Sequence, residues 1–273
     1  MQRRAGWLGA VVLAAFVLVA VLSPLLVPPA ARSVIDATGP TLAPPSGRYP
    51  LGTDENGLSV LALLVAGARE SLLVGFLATG LAVGVGALVG TVTGYFRGAP
   101  SAVLRWLTEW FLVLPQVPFA MVLAGVLRPG AGPLVLAIAA TSWAGVARVV
   151  RAGVLTARTR PHLQRVAALG AGHWHRIRFH ILPAVLPLVA ANATLSLANA
   201  VLAEATLSFL GLGDPSQPSW GSMLRQAAVS GAISAGAWWY LLFPGLAVML
   251  VVLAFSACGH ALDSAFAAEG TGR

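Results

Sequence analysis

Lysine is absent from this sequence, and charged residues of every kind make up only 10% of it. Soluble domains contain about 25% charged residues, whereas this chain is 58% hydrophobic and has a mean hydropathy of +0.83. A core formed by 273 residues cannot remove that much apolar surface from water. Lipid must therefore replace water around much of the chain, which predicts a membrane protein.

The missing lysine also excludes a nucleotide-binding P-loop, whose lysine reaches the phosphates of ATP. The sequence further lacks the H-E-x-x-H motif of zinc proteases and the G-x-S-x-G motif of hydrolases. Its single cysteine, Cys258, cannot form an internal disulfide. These absences argue against an enzyme, and we expect no catalytic, cofactor or metal site in this chain.

Six apolar segments are long enough to cross the hydrocarbon layer of a bilayer, which is about 30 Å thick. The predicted spans are residues 7–27, 71–95, 104–127, 133–150, 186–207 and 239–262. Arg3 and Arg4 ahead of Trp7 are typical of a signal peptide, but no small-residue cleavage site precedes "SPLLVPP". We therefore expect the first span to remain uncleaved.

The net charge of +8 comes from arginines that lie between the apolar runs. A basic protein can bind nucleic acid, but the positive-inside rule explains this distribution better. With a cytoplasmic N-terminus, the inner side collects Arg3, Arg4, Arg97, Arg105, Arg148, Arg151, Arg158, Arg160, Arg165, Arg176, Arg178 and Arg273. The outer side keeps Arg32, Arg48, Arg69, Arg128 and Arg225. The sequence thus predicts cytoplasmic termini, a lipid bilayer as surroundings and no nucleic acid partner.

Three segments remain outside the predicted spans. Residues 28–70 form an outer loop, irregular in its first half and helix-like in its second, where we expect a helix at the membrane interface. Residues 211–237 form a second outer segment with a turn and a short helix, and residues 151–182 form a long inner loop. No internal repeat is present. We divide this membrane protein into residues 1–70, the first span with its loop, and 71–273, which contain the other five spans and the inner loop.

The inner loop contains a dense basic stretch, "ALGAGHWHRIRFHILP". On a helical wheel its apolar stripe consists of Trp174, Ile177 and Ile181. Its polar stripe consists of His173, Arg176 and His180. Glycines ahead of the stretch permit a sharp turn, and Pro183 can occupy the first turn of the next helix. Such a helix–turn–helix can dock another protein or lie on the lipid surface, and composition alone allows both.

The remaining polar residues point to chemistry only weakly. In an α-helix His173 and His180 share a face and His175 points away from them. Polar side chains on a solvent-exposed face are therefore a better interpretation than a metal site. Two acids, Glu109 and Glu204, lie within or at the edge of predicted spans, where an ionisable side chain often has a function. Capping or pairing with an arginine is the simpler interpretation for Glu109, whereas for Glu204 this interpretation and a functional role are equally supported.

Three stretches together resemble permease subunits of binding-protein-dependent ABC importers. "AALGAGHWHRIRFHILP" resembles their cytoplasmic EAA loop, in which a glycine precedes H-x-L-P at a fixed spacing. "YPLGTDENGLSVLALLVAGARESL" and "AEATLSFLGLGDPSQPSWGSML" resemble two segments of the dipeptide, oligopeptide and nickel permease subfamily. The matches follow the family's order and span most of the chain after residue 49, and they resemble DppC- or OppC-type subunits.

The resemblance implies the all-α type I importer fold, with six transmembrane helices in the bacterial inner membrane. It also implies four partner chains: a second permease of the DppB or OppB type, two ATPase subunits that bind ATP and Mg²⁺, and an extracytoplasmic binding protein. The ATPase-coupling loop would comprise Gln164, Ala167, Ala168, Leu169, Gly170, Ala171, His180 and Pro183. In this loop Gly170 would supply the turn, while His180 and Pro183 would fix the return into the membrane.

The sequence departs from this family at several positions. Gln164 replaces the family's glutamate, so one salt bridge to the ATPase is absent or is made elsewhere. Arg165 and Val166 replace small residues, and Leu58 and Ser59 replace a common Arg-Asp pair. None of these changes removes the pattern.

The outer segment contains the candidates for a gate or an extracytoplasmic contact, Glu204 and Trp220. We predict that Trp220 packs the segment against the protein or the membrane interface. An unpaired carboxylate in hydrocarbon is costly, so we expect Glu204 to contact the backbone N–H groups of "LGLG" or a group on the paired permease.

The resemblance predicts a transport subunit without its own catalytic site that imports di- or oligopeptides. Import of nickel or another small solute by the same fold is the alternative, because relatives with similar motifs carry such cargoes. A secondary transporter would need inverted repeats or interrupted helices with polar groups at mid-membrane. A membrane enzyme would need a catalytic cluster, and the sequence has neither pattern.

Overall fold

The computed structural model describes residues 2–37 and 39–271, and helices make up the regular structure of that part of the chain. Its α-helices are α1 Gln2–Leu26, α2 Val60–Tyr95, α3 Ala99–Val113, α4 Gln116–Val126, α5 Ala131–Arg158, α6 Pro161–Ala168, α7 His173–Arg176, α8 Leu182–Phe209, α9 Trp220–Val229 and α10 Trp239–Thr271. Two 3-10 helices, Pro29–Arg32 and Val34–Asp36, follow α1, and a π-helix, Ile177–Ile181, joins α7 to α8. The predicted all-α fold is confirmed.

The described residues contain five helices that are long and apolar enough to cross a membrane. A sixth crossing arises if α3 and α4, which meet at an angle of 97°, count as one broken span. The break lies at Leu114, whose backbone is extended (φ −66°, ψ 132°). Proline disfavours the helical conformation in the residue before it, so Pro115 ends α3. Five of the predicted spans thus lie in single long helices, and the predicted third span corresponds to this bent pair.

The second span begins earlier than predicted. Ser59 caps α2 by accepting a hydrogen bond from the backbone N–H of Ala62 (3.5 Å). Residues 60–70 are the first turns of α2 rather than a separate helix at the membrane interface. Val60 and Leu63 in this segment are buried in the protein core. The outer loop therefore ends at Ser59, and the division at residue 70 falls inside α2. At about 1.5 Å per residue, this helix is longer than the hydrocarbon layer is thick.

The pair α2 and α5 forms the most extensive helix contact among the described elements. Gly86, Gly90 and Gly94, one at every fourth position of α2, face α5. A Cβ atom added at Gly90 would lie 2.6 Å from the carbonyl oxygen of Ala147. Lipid tails supply no hydrophobic force between helices, so close backbone approach through small residues has to provide the attraction.

The start of α1 packs against the end of α10, where Gly9 lies close to the carbonyl group of Ala254. These two helix ends therefore lie at the same end of the bundle. The assignment of that end to the cytoplasm stays a prediction from the arginine pattern. Arg273 and the side chains of Arg3, Arg4 and Arg32 lie outside the described residues.

The loop before α2 is ordered around Asp54, which is only 2% exposed. The Oδ1 atom of Asp54 accepts hydrogen bonds from the backbone N–H groups of Asn56 (2.9 Å) and Leu58 (2.7 Å). Trp239, at the start of α10, donates from Nε1 to the carbonyl oxygen of Thr53 (3.2 Å). Burial raises the pKa of Asp54 above its ordinary value of 3.8, although these hydrogen bonds oppose the shift.

The α2–α5 contact predicts that Gly90→Ala lowers stability. The added methyl group forces the helices apart, and overpacking of this kind costs about 1–3 kcal/mol. Gly84→Ala is the matched control on the same helix, since no atom lies within 4 Å of its Cβ position. Thermal unfolding of the detergent-solubilised protein measures both. A melting temperature that is the same for the two variants would contradict the assigned contact.

The raised pKa of Asp54 predicts a pH-dependent loop. The folded protein binds the Asp54 proton more tightly than the unfolded chain, so stability falls as the pH rises above 3.8 and through the raised pKa. Asp54→Asn should abolish this fall because it keeps the acceptor oxygen without a charge. Asp54→Ala should lose both hydrogen bonds, worth about 1 kcal/mol each. Hydrogen–deuterium exchange of residues 53–60 measures how readily this loop opens. Unchanged protection of these amides in Asp54→Ala would refute the assigned hydrogen bonds.

Candidate functional site

The predicted inner hairpin is present and turns at a glycine. Helix α6 follows α5 directly, and Leu163 anchors it in a buried cluster that includes Val154 and Ile177. Gly170 has a φ of +83°, and the N–H of Ala171 donates to the carbonyl oxygen of Val166 (3.3 Å). This is the Schellman arrangement, in which a glycine with positive φ ends a helix. Gly170 therefore supplies the turn, as the sequence predicted.

The tip of this hairpin is turned away from the rest of the chain. Gln164, Ala168, Leu169 and Gly170 are exposed, and Leu169 is 87% exposed. Among the described residues, no atom lies within 4 Å of the Cβ position of Gly170. Ala171 is half-buried, and the side chain of Ala167 lies outside the described part of the structure. Contact of this tip with an ATPase stays a prediction.

His180 and Pro183 lie within a continuous helical run, and their role in the return of the chain into the membrane stays a prediction. The helical run extends from His173 to Phe209, and its residues 177–181 are π-helical. The N–H of Leu182 donates to the carbonyl oxygen of Ile177, five residues earlier. Pro183, which has no N–H to donate, follows this wider turn at the start of α8.

The π-turn changes which side chains share a face. The rings of His175 and His180 lie 5.6 Å apart between centroids, so the prediction that His175 points away from His180 is wrong. Residues five apart are close in a π-helix but not in the α-helix assumed in the prediction. The apolar stripe is also incomplete, because Ile177 and Ile181 are buried whereas Trp174 is 72% exposed.

The hairpin is attached to the bundle by residues that the sequence did not single out. The hydroxyl of Tyr95, the last residue of α2, lies 2.9 Å from Nδ1 of His173. The Nη1 atom of Arg158 donates to the carbonyl oxygen of Gly94 (3.0 Å). An aromatic residue followed by an arginine at the end of an apolar span, as in "GYFRG", is the available signal, since such residues concentrate at membrane interfaces.

At the other end of α8, Glu204 is 1% exposed and is held by a serine on its own helix. Ser208 donates from Oγ to Oε1 of Glu204 (2.7 Å). The hydroxyls of Ser71 on α2 and Ser219 before α9 also lie close enough to interact with this carboxyl group. Among the described residues the partner of Glu204 is Ser208 rather than the backbone of "LGLG", and a contact with the paired permease stays a prediction. Glu109 is exposed on α3 and takes no part in this cluster.

Trp220, the first residue of α9, is fully buried and packs against the protein rather than the membrane interface. Its Nε1 donates to the carbonyl oxygen of Leu64 (3.0 Å), and its backbone N–H donates to Oγ of Ser71 (3.2 Å). The ring of Phe16 meets it edge-on at 5.6 Å. Helices α1, α2 and α9 thus meet at one indole, while a gating role for Trp220 stays a prediction.

The serine cluster predicts that Glu204→Gln is tolerated and that Glu204→Leu is not. Glutamine keeps an acceptor for Ser208, whereas leucine leaves buried hydroxyls without a partner, which costs about 1–3 kcal/mol. Thr206→Leu is the control for hydrophobic substitution at a half-buried position of α8 outside the serine cluster. Thermal unfolding in detergent measures all three. A larger loss in Glu204→Gln than in Glu204→Leu would show that the carboxylate charge, not the hydrogen bond, is required.

Residues 83–268, more than half of the chain, match the family of binding-protein-dependent transport system inner membrane components. A Brucella suis protein described as a peptide permease is 36% identical over 267 residues, which cover 97% of this chain and 87% of that protein.

Two further relatives agree with this match. The di/tripeptide transport system permease protein DppC of Pseudomonas aeruginosa is 35% identical, with 82% of this chain and 75% of that protein covered. The dipeptide transport system permease protein DppC of Bacillus subtilis is 34% identical, with 81% of this chain and 69% of that protein covered. The chain therefore belongs to the binding-protein-dependent transport system inner membrane components, multi-pass proteins of the bacterial inner membrane.

Proposed function

We propose that this chain is one of two permease subunits in an ATP-driven importer of di- or oligopeptides. The names of its relatives support the cargo class. The proposed partners are a DppB- or OppB-type permease, an extracytoplasmic binding protein, and two ATPase subunits that carry ATP and Mg²⁺. In this assignment the chain has no catalytic site of its own, and ATP is hydrolysed on the partner chains.

The exposed hairpin tip is the observation that best supports a coupling role. Leu169 is 87% exposed at the end of a rigid glycine turn, and an exposed apolar side chain in that position suits a contact with another protein. The hairpin is also firmly connected to the bundle, because Leu163 packs in the same cluster as Val154 of α5 and Val185 of α8. Movement of the tip by the ATPases would therefore displace two membrane helices.

Alternating access follows from such a connection. ATP binding closes the ATPase pair, and a ligand shifts a two-state equilibrium only by its differential affinity for the two states. The coupling hairpin would transmit that difference as a rigid-body motion of α5 and α8. The serine cluster at Glu204 and the buried Trp220 lie at the opposite end of α8, where the same motion would reach the outer segment.

The cargo can be tested with the complete complex in vesicles. ATP-dependent uptake of a labelled dipeptide, competed by unlabelled peptides but not by nickel, is the expected result. ATP-dependent uptake of nickel alone would retain the importer and replace its cargo. Uptake driven by an ion gradient without ATP would instead establish a secondary transporter.

The hairpin geometry predicts that Gly170→Asp uncouples transport without preventing membrane insertion. A side chain at a φ of +83° is strained, so the turn should deform while the membrane spans stay intact. Loss of ATPase co-purification, or of uptake despite ATP hydrolysis, is the expected result.

Gly172→Asp is the matched control for this variant. Gly172 has a φ of −65° and no atom within 4 Å of its Cβ position. It should transport normally. If instead Gly170→Asp transports normally and replacement of Arg176 and Arg178 abolishes uptake, the stretch acts on the lipid surface and not through ATPase docking.

A further inference from the structure

A cavity of about 420 Å³ opens between the ends of α2 and α5 and the α6–α7 hairpin. Three arginines line it, Arg97, Arg158 and Arg176. The described residues of its wall include no acidic side chain. Three like charges around one space repel each other unless an anion is bound between them, so the cavity attracts a negatively charged group.

Two of these guanidinium groups are held in place by an aromatic residue. The guanidinium carbons of Arg158 and Arg176 lie 5.6 Å and 5.8 Å from the ring centroid of Tyr95. Arg158 is also fixed by its hydrogen bond to the carbonyl group of Gly94. Each guanidinium group has five N–H donors, and one such bond leaves four of them free for an anion.

Arg176 is oriented from the hairpin side. Its Nη2 atom lies 3.0 Å from Nδ1 of His173, and because a guanidinium group can only donate, this nitrogen acts as the acceptor. The Nε atom of Arg176 is buried and has no hydrogen-bond partner among the described residues. Its Nη1 and Nη2 atoms therefore have to supply the contacts to an anion in the cavity.

The position of the cavity identifies the anion. Tyr95 ends the apolar helix α2, and Arg97 follows two residues later. Aromatic residues and arginines at the ends of spans lie at the depth of the lipid headgroups. Basic pockets between membrane helices at this depth bind anionic headgroups, and guanidinium groups match the oxygens of a phosphate by paired hydrogen bonds.

We propose that this cavity binds the phosphate of an anionic phospholipid, such as phosphatidylglycerol, from the adjacent leaflet. The headgroup would connect α2, α5 and α7 through Arg97, Arg158 and Arg176. This site depends on the membrane location of the chain and not on its role in an importer. Its occupancy would stiffen the base of the hairpin, because a ligand that binds only the folded state stabilises that state.

The test uses the full-length chain alone, purified in a neutral detergent and titrated with phosphatidylglycerol or with phosphatidylcholine. Native mass spectrometry and thermal unfolding should show a retained phosphatidylglycerol adduct and a higher melting temperature, with neither effect from phosphatidylcholine. Arg176→Gln should weaken the adduct about tenfold, the effect of one lost charged hydrogen bond. Arg97→Gln should also weaken it, and this exposed residue can be changed without affecting the fold.

Arg178→Gln is the matched control, since Arg178 lies two residues from Arg176 but is exposed and stacks on Phe179. It should bind phosphatidylglycerol as the wild type does. Displacement of the lipid by inorganic phosphate would assign the site to free phosphate as well as to the headgroup. Equal binding by all variants, or no binding by the wild type, would overturn the proposal. A second preparation, the complete complex, gives one more outcome that would overturn it: loss of co-purified ATPase in Arg176→Gln with unchanged lipid binding, because an acidic side chain of the ATPase would then be the occupant.

Discussion

The close approach of α2 to α5 is the contact on which the other features depend. Glycines at positions 86, 90 and 94 bring the two backbones together where the surrounding lipid provides no force to do so. This contact places the end of α2 beside the end of α5, so that Arg158 reaches the carbonyl group of Gly94. A single methyl group added in this contact would separate the ends of α2 and α5, to which the hairpin is attached.

Helix α2 also joins the Trp220 region to the hairpin. Its first turns hold Trp220 through Leu64 and Ser71, and its last residue, Tyr95, contacts His173 at the base of the hairpin. Helix α8 runs beside it, from the π-turn near the hairpin to the serine cluster around Glu204. Two packed helices therefore connect the two ends of the bundle, and the proposed coupling would require such a connection.

The polar groups at the two ends of α8 differ in charge. At the α9 end the carboxyl group of Glu204 is enclosed, and Ser208 supplies one hydrogen bond in place of water. At the hairpin end several arginines share a cavity wall that contains no described acidic side chain. Each end leaves a buried polar atom without a hydrogen-bond partner among the described residues, Oε2 of Glu204 and Nε of Arg176.

The sequence by itself determined the membrane environment, the helical class and the family. Each rests on local quantities: the apolar content of a segment and the order of three motifs. The break at Pro115 inside the predicted third span appeared only in the structure. The turn at Gly170 could also be predicted from the sequence, because a glycine that follows a helix commonly adopts a positive φ.

Only the tertiary structure decided the long-range partners, such as Leu64 for Trp220. Ser208, by contrast, lies four residues after Glu204 on the same helix, a local partner that was not singled out from the sequence. The π-turn brought His175 to His180 and left Trp174 exposed, which a wheel with a constant angle per residue cannot represent. The spacing of apolar residues predicts the apolar and polar faces of a helix, but long-range packing determines which residues each face contacts.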